Sequence, residues 1–228
     1  MNLQEQFQAA FLDGDRWKLY FRGLGVTMEV AVFAAVVGFA IGILIALMKL
    51  SRTNSGKPSL WSVVATVYID VIRGTPSVIQ LLIMWFVIMR TSSNGVLVAT
   101  LSFGINSGAY VAEIIRGGIL AVDNGQMEAG RSVGLSKAQT MIYIVLPQAF
   151  KNALPSLLNE FITMLNETAI LGYVGMADLT RVANQISTRT YQPFMPLVGA
   201  AIIYFVVIKV LSLLFGILER RLRASDNR

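Results

Sequence analysis

Five stretches of this chain are apolar over about the 20 residues that a helix needs to cross a bilayer. They run from about Gly25 to Leu47, Trp61 to Met89, Val96 to Ile115, Ala153 to Val174 and Pro196 to Leu218. Hydrocarbon offers no partner to backbone N–H and C=O groups, so separate runs of this length cross it as α-helices. The fourth run is the least apolar. It is kept because dropping it leaves two long loops and puts both basic ends in awkward places. The expected fold is an all-α integral membrane protein with about five transmembrane helices. Only 14% of the 228 residues are charged and 55% are hydrophobic, where a soluble domain carries about 25% charged residues. Met1 to Gln8 is polar with no basic start, so no secretory signal is expected.

Lysine and arginine set the orientation. With the amino terminus outside, the inner side holds Lys49, Arg52, Lys57, Arg116, Arg131, Lys137, Lys151, Arg220, Arg221, Arg223 and Arg228. The outer side holds Arg16, Lys18, Arg22, Arg90, Arg181 and Arg189. Arg73 and Lys209 fall within spans. This bias places the carboxyl terminus and the 128–147 loop in the cytoplasm. Three regions are expected: an extracytoplasmic interfacial segment at 1–23, a transmembrane domain at 24–222 and a cytoplasmic tail at 223–228. The first carries Phe7, Phe11, Trp17, Tyr20 and Phe21 among charges, which suits an aromatic anchor on the outer leaflet.

The 128–147 loop is too patterned for a connector. Met127, Glu128 and Ala129 are good helix formers, Gly134 suits the residue just past a helix end, and Ser136 can cap a second helix running to Pro147. Such a short surface helix is a shape that docks into another chain.

Polar residues inside the spans are costly in lipid and mark pathways or helix contacts. In the fourth span Asn152, Ser156, Asn159, Thr163 and Asn166 recur at intervals of four and three, on one helical face. Glu160 and Glu167 flank that face. Such a stripe faces either a partner helix or a water-filled path. Pro155 removes a backbone bond in the same stretch. In the second span Arg73-Gly74-Thr75-Pro76 is expected to break or kink the helix, with Thr75, Pro76 and Gln80 able to line one face. Glu113 and Arg116 have the spacing of a local ion pair, and Lys209 is read as snorkelling to the interface or meeting a partner acid.

Some chemistry is excluded. With no cysteine and no histidine there are no disulfides, imidazole bases or usual zinc sites. No G-x-x-x-x-G-K-[ST] phosphate loop occurs. No catalytic residue, metal site or cofactor is assigned to this chain, and an enzyme is not expected. The basic residues border apolar spans, so the partner is membrane lipid and not nucleic acid.

Residues 128–147 resemble the cytoplasmic EAA loop of ABC importer permeases, E-A-A-x-x-x-G-x(9)-I-x-L-P. Glu128, Ala129, Gly134, Ile144, Leu146 and Pro147 fall in register, with Gly130 where alanine is usual. Arg73-Gly74-Thr75-Pro76, Gly108-Ala109-Tyr110, Ala112-Glu113, Arg116-Gly117-Gly118, Gly125-Gln126 and Leu146-Pro147-Gln148-Ala149 resemble the polar amino acid (histidine/glutamine/arginine/cystine) permeases. The similarity spans about Thr27 to Arg221. It departs at Asn166-Glu167-Thr168-Ala169-Ile170, where the family has Lys-Asp/Asn-Thr-Ser-Leu, a change that bears on substrate identity.

The resemblance implies an importer of the bacterial cytoplasmic membrane. Two permeases, a second copy or a related chain, would each dock by this loop on a dimer of ATPase subunits, which hold the ATP and Mg. An extracytoplasmic binding protein would deliver a polar amino acid. The ATPase-coupling residues would be Glu128, Ala129, Gly130, Gly134, Leu135 and Ser136. Substrate-binding candidates are Thr75, Pro76, Gln80, Glu160, Thr163, Asn166 and Glu167. The acids would take the ammonium group or a basic side chain, and Thr75 with exposed amides the carboxylate. Two acids on the stripe lean towards a cationic amino acid. The alternative is an ATP-independent channel or ion-coupled carrier, which the same intramembrane acids would serve. Carriers of that kind hold paired repeats in one chain, and none is visible here.

Overall fold

The computed structural model describes residues 2–51, 53 and 56–224. Arg52, Arg228 and most of the expected 223–228 tail lie outside the described residues. Among these residues the chain is helical with no strand. In order the helices are α1 (Leu3–Phe7), α2 (Arg16–Leu50), α3 (Leu60–Arg73), α4 (Ser77–Ile83), α5 (Gly95–Leu120), α6 (Asn124–Ser132), α7 (Lys137–Thr140), α8 (Leu146–Glu167), α9 (Leu179–Thr190) and α10 (Phe194–Ala224). Wide π turns extend α4 through Met84–Ile88 and join α7 to α8 through Met141–Val145.

Three helical stretches among the described residues are long and apolar enough to cross a membrane: Leu3–Leu50, Gly95–Leu120 and Phe194–Leu222. A fourth candidate, α3 with the extended α4, counts only if the break between the two is taken inside one span. The sequence puts Gly74 and Pro76 at that break. Gly74 closes α3 by donating to Asp70 O (2.9 Å), and the Pro76 carbonyl opens α4 by accepting from Ile79 and Gln80. The fourth expected span, Ala153 to Val174, differs from its forecast. Helix α8 starts before Ala153, ends at Glu167, and gives way to 3-10 turns over Thr168–Val174 closed by Gly175 at φ +80°. Its polar stripe keeps α8 outside the set that is apolar enough by composition. The helix also passes through Pro147 instead of stopping there. Pro147 is the second residue of α8, directly after the π turn, where a missing N–H is tolerated.

The chain divides into two compact units. The first holds the described residues of Met1–Val36, Pro76–Gly104 and Ile162–Ser212. Its core is Tyr20, Leu179, Val182, Ala183, Ile186 and Ala200, with Phe11 stacked on Tyr20 at 5.2 Å. Gly23 lets α2 touch α9: a Cβ there would lie 2.9 Å from Val182 Cγ2 and 3.0 Å from Asp178 O. The buried Thr27 hydroxyl accepts the Leu179 N–H (3.3 Å), tying the start of α9 to α2. The second unit holds the described residues of Val37–Thr75, Ile105–Phe161 and Leu213–Arg228. Ile45, Ala46, Ala65, Ile69, Ala109 and Ala112 form its core. Small residues let backbones approach, as membrane helix packing requires. A Cβ on Gly118 would lie 2.7 Å from Ala149 O.

Candidate functional site

The polar segment after α5 is built from local rules. Asp123 caps α6, its Oδ1 accepting the Gly125 N–H at 2.6 Å. At the other end Gly134 stops the helix at φ +92°, a conformation that costs glycine least. The Gly134 N–H bonds Arg131 O and the Leu135 N–H bonds Gly130 O, the paired bonds of a Schellman motif. Ser136 then caps α7 in a reciprocal box: its Oγ accepts the Gln139 N–H, and Gln139 Oε1 accepts the Ser136 N–H. Gly130 is buried, and Leu135 partly so. Glu128, Ala129, Gly134 and Ser136 are exposed. So are three large apolar side chains that could have been folded away: Val133 (79% exposed), Ile142 and Tyr143. A rigid hairpin with exposed apolar groups on a polar segment is what an interaction surface needs. Gln148 donates to Gln126 Oε1 (3.3 Å), fastening α8 to α6.

The stripe on α8 falls on one face. Asn152, Ser156, Asn159, Thr163 and Asn166 are all exposed on this chain, while Ala153, Leu154, Met164 and Leu165 of the same helix are buried. Glu160 is partly buried and accepts from the buried Ser107 Oγ on α5 at 2.9 Å.

The two units separate the substrate-binding candidates. Thr75 and Glu160 belong to the second unit. Pro76, Gln80, Thr163, Asn166 and Glu167 belong to the first. In the first unit α4 packs against the turns that follow α8, and Asn166 lines a cleft with Ala169, Thr180 and Tyr204. The Thr75 hydroxyl donates to Val71 O (2.9 Å), occupying a carbonyl that the end of α3 leaves free.

Sequence reasoning missed four features. Glu113 does pair with Arg116 (2.8 Å), and it also binds Lys49 of α2 at 2.8 Å. Ser107 reaches Glu160. Arg73 stacks over the Tyr110 ring at 5.1 Å, a cation–π contact. These pairings join residues far apart in sequence and carry no local signal. Helix α9 does carry one: Leu179, Val182, Ala183 and Ile186, its buried residues, follow helical spacing. Its cap, Asp178, is buried and accepts from Thr180 N (2.9 Å) and Arg181 N (3.3 Å). Burial pushes its carboxyl above the ordinary value, and these amide bonds oppose the shift.

Together these features describe the membrane-embedded component of a transport system. Residues 38–224 match the family described as the binding-protein-dependent transport system inner membrane component, and the chain belongs to that family. It is 38% identical over 207 residues to the arginine transport system permease protein ArtQ of Bacillus subtilis (strain 168), covering 90% of this chain and 92% of the relative. It is 34% identical over 211 residues to the glutamine transport system permease protein GlnP of Escherichia coli (strain K12), covering 90% and 93%. A solved structure described as an amino acid ABC transporter with histidines superposes with a TM-score of 0.83 at 44% identity, covering 92% of this chain and 98% of that one.

Proposed function

We propose that the chain is the transmembrane subunit of an ATP-binding-cassette importer that carries a polar amino acid across a bacterial cytoplasmic membrane. The observation that carries this reading is the α6–α7 hairpin, capped at each turn and exposing Glu128, Val133 and Ser136. The hairpin docks on a cytoplasmic ATPase dimer, which holds ATP and Mg. A rigid connector transmits movement; a loose one absorbs it. The chain crosses the membrane five times, with α8 as the fourth span and the amino terminus outside. A second permease, identical or related, faces the polar stripe and completes the path. An extracytoplasmic binding protein supplies the amino acid.

Within the path, Glu160 and Glu167 hold the cationic groups of the substrate. Thr75, Pro76, Gln80, Thr163 and Asn166 supply polar contacts. Ser107 positions Glu160 by donating to one carboxylate oxygen. The relatives' arginine and glutamine systems support a polar amino acid, and the two acids favour a cationic one. The test is reconstitution of the chain with its ATPase subunits and binding protein in liposomes. Arginine, lysine, histidine and glutamine are compared for uptake and for stimulated hydrolysis. An amino acid that raises both supports the reading; uptake that proceeds without the ATPase subunits overturns it.

A further inference from the structure

Arg73 is the last residue of α3 and directly precedes the break at Gly74 and Pro76. It is exposed, and its guanidinium lies over the Tyr110 ring of α5, 5.1 Å from the ring centre. No carboxylate pairs with it among the described residues. Asp70, one turn earlier on α3, is not within ion-pair reach of it. Glu113, one turn beyond Tyr110 on α5, is already bound to Lys49 and to Arg116, each at 2.8 Å. The end of α3 favours a cation, because the helix dipole is negative there. A cation without an acid in a membrane span marks a ligand or a pathway, and Arg73 stands in the second of the proposed spans.

The mount is rigid. Tyr68 of α3 donates to Ile105 O of α5 at 2.5 Å, and Ile69 and Ala109 share the core of the second unit. Ser107, one turn before Tyr110 on α5, donates to Glu160 Oε1. Arg73, Tyr110, Ser107 and Glu160 all belong to that unit. The points where α5 meets the guanidinium and the carboxylate are three residues, about 4.5 Å, apart along its axis. One carbon of an amino acid carries an ammonium and a carboxylate, a counterpart for each. We infer that Arg73 takes the carboxylate of the transported amino acid, opposite the ammonium group that Glu160 holds. The inference deepens the proposed function and rests on it. Stacking on Tyr110 uses the face of the guanidinium and leaves its N–H edge for the forked contact that carboxylates accept. Thr75 suits that role less. A hydroxyl has one proton to give, and the Thr75 hydroxyl gives it to Val71 O (2.9 Å).

The experiment uses the permease with its ATPase subunits in nanodiscs, without the binding protein, so that the permease alone selects. Equilibrium binding is measured directly for pairs that differ only in the carboxylate: arginine and agmatine, lysine and cadaverine, histidine and histamine, glutamine and 4-aminobutanamide. The wild type is expected to bind the amino acid of its pair about tenfold or more tighter than the amine. Arg73→Gln is expected to remove that preference, weakening the amino acid about tenfold and leaving the amine within about twofold. Arg73→Lys keeps the charge without the fork and is expected to retain part of the preference. Tyr110→Leu is expected to reduce it several-fold, and Tyr110→Phe, which keeps the ring, to leave it intact. An undiminished preference in Arg73→Gln overturns the inference, as does a wild type with none. So does an equal loss for both members of a pair, because Arg73 then only shapes the protein. Should Arg73→Gln fail to assemble, Arg73→Lys and Tyr110→Leu decide by the same ratio. A wild type that binds none of the four amino acids defeats the proposed substrate path, and the inference with it.

Discussion

Gly130 of α6 lies against Thr140 of α7, so close that a Cβ on Gly130 would sit 2.5 Å from Thr140 Cγ2 and 2.9 Å from Ile144 Cδ1. The fully buried Thr140 hydroxyl donates to Ser136 O (3.0 Å), so the threonine is held in place. The alanine usual at position 130 in the EAA pattern therefore does not fit this hairpin unaided. Gly130→Ala gains about 1 kcal/mol of helix propensity and loses about 1–3 kcal/mol to overpacking. The net effect is a loss of stability and coupling. Thr140→Ser removes the offending methyl and keeps the hydroxyl. The double variant Gly130→Ala/Thr140→Ser is expected to recover most of the loss, read as apparent Tm and as transport per ATP hydrolysed.

Gly134 is constrained differently. Nothing would obstruct its Cβ, but its φ of +92° strains any L side chain. Gly134→Val is expected to disrupt the paired bonds at the end of α6 at about 1–2 kcal/mol while leaving membrane insertion intact. Hydrolysis should persist and transport per ATP should fall several-fold, measured in liposomes.

Glu113 serves two cations, so its loss and the loss of one cation differ. Glu113→Gln leaves Lys49 and Arg116 with no carboxylate between them and is expected to cost about 2 kcal/mol, less than a fully buried pair because all three side chains reach water. Lys49→Met leaves the Arg116 pair in place and is expected to cost about 1 kcal/mol or less. Thermal unfolding in detergent checks the order. Equal losses would show that Lys49 carries as much as the acid.

Asp178 links a cap to a pH dependence. A carboxyl raised by burial prefers its neutral form in the folded chain. Its contribution to stability is therefore complete below the unfolded pKa and is lost as pH rises through the folded one. Asparagine caps as well as aspartate, so Asp178→Asn is expected to match or exceed the wild type at neutral pH, with the advantage shrinking towards about pH 4. Asp178→Ala should lose about 1–2 kcal/mol at either pH. Unfolding curves at the two pH values decide.

Local rules made much of this legible. Gly74 and Pro76 announced the break after α3, Gly134 the end of α6, and Ser136 the start of α7, because each acts on its own backbone. The intervals from Asn152 to Asn166 gave a face that is indeed exposed. The fourth span was harder: the polar residues that give α8 its face also lower its hydropathy, so the test for a span and the sign of function oppose each other. Helix α9 lies between two apolar runs and no element is expected there from hydropathy, although the spacing of Leu179, Val182, Ala183 and Ile186 is helical. Ser107–Glu160 and Lys49–Glu113 were out of reach, since their partners meet only through packing.

The sharpest measurement uses the absence of cysteine from the chain. A single cysteine in place of the exposed Val133 gives one reporter on the hairpin. A membrane-impermeant maleimide is expected to spare it in intact cells, to label it in inside-out vesicles stripped of ATPase subunits, and to be blocked when those subunits are restored. Labelling of Val133→Cys from outside intact cells would contradict the account.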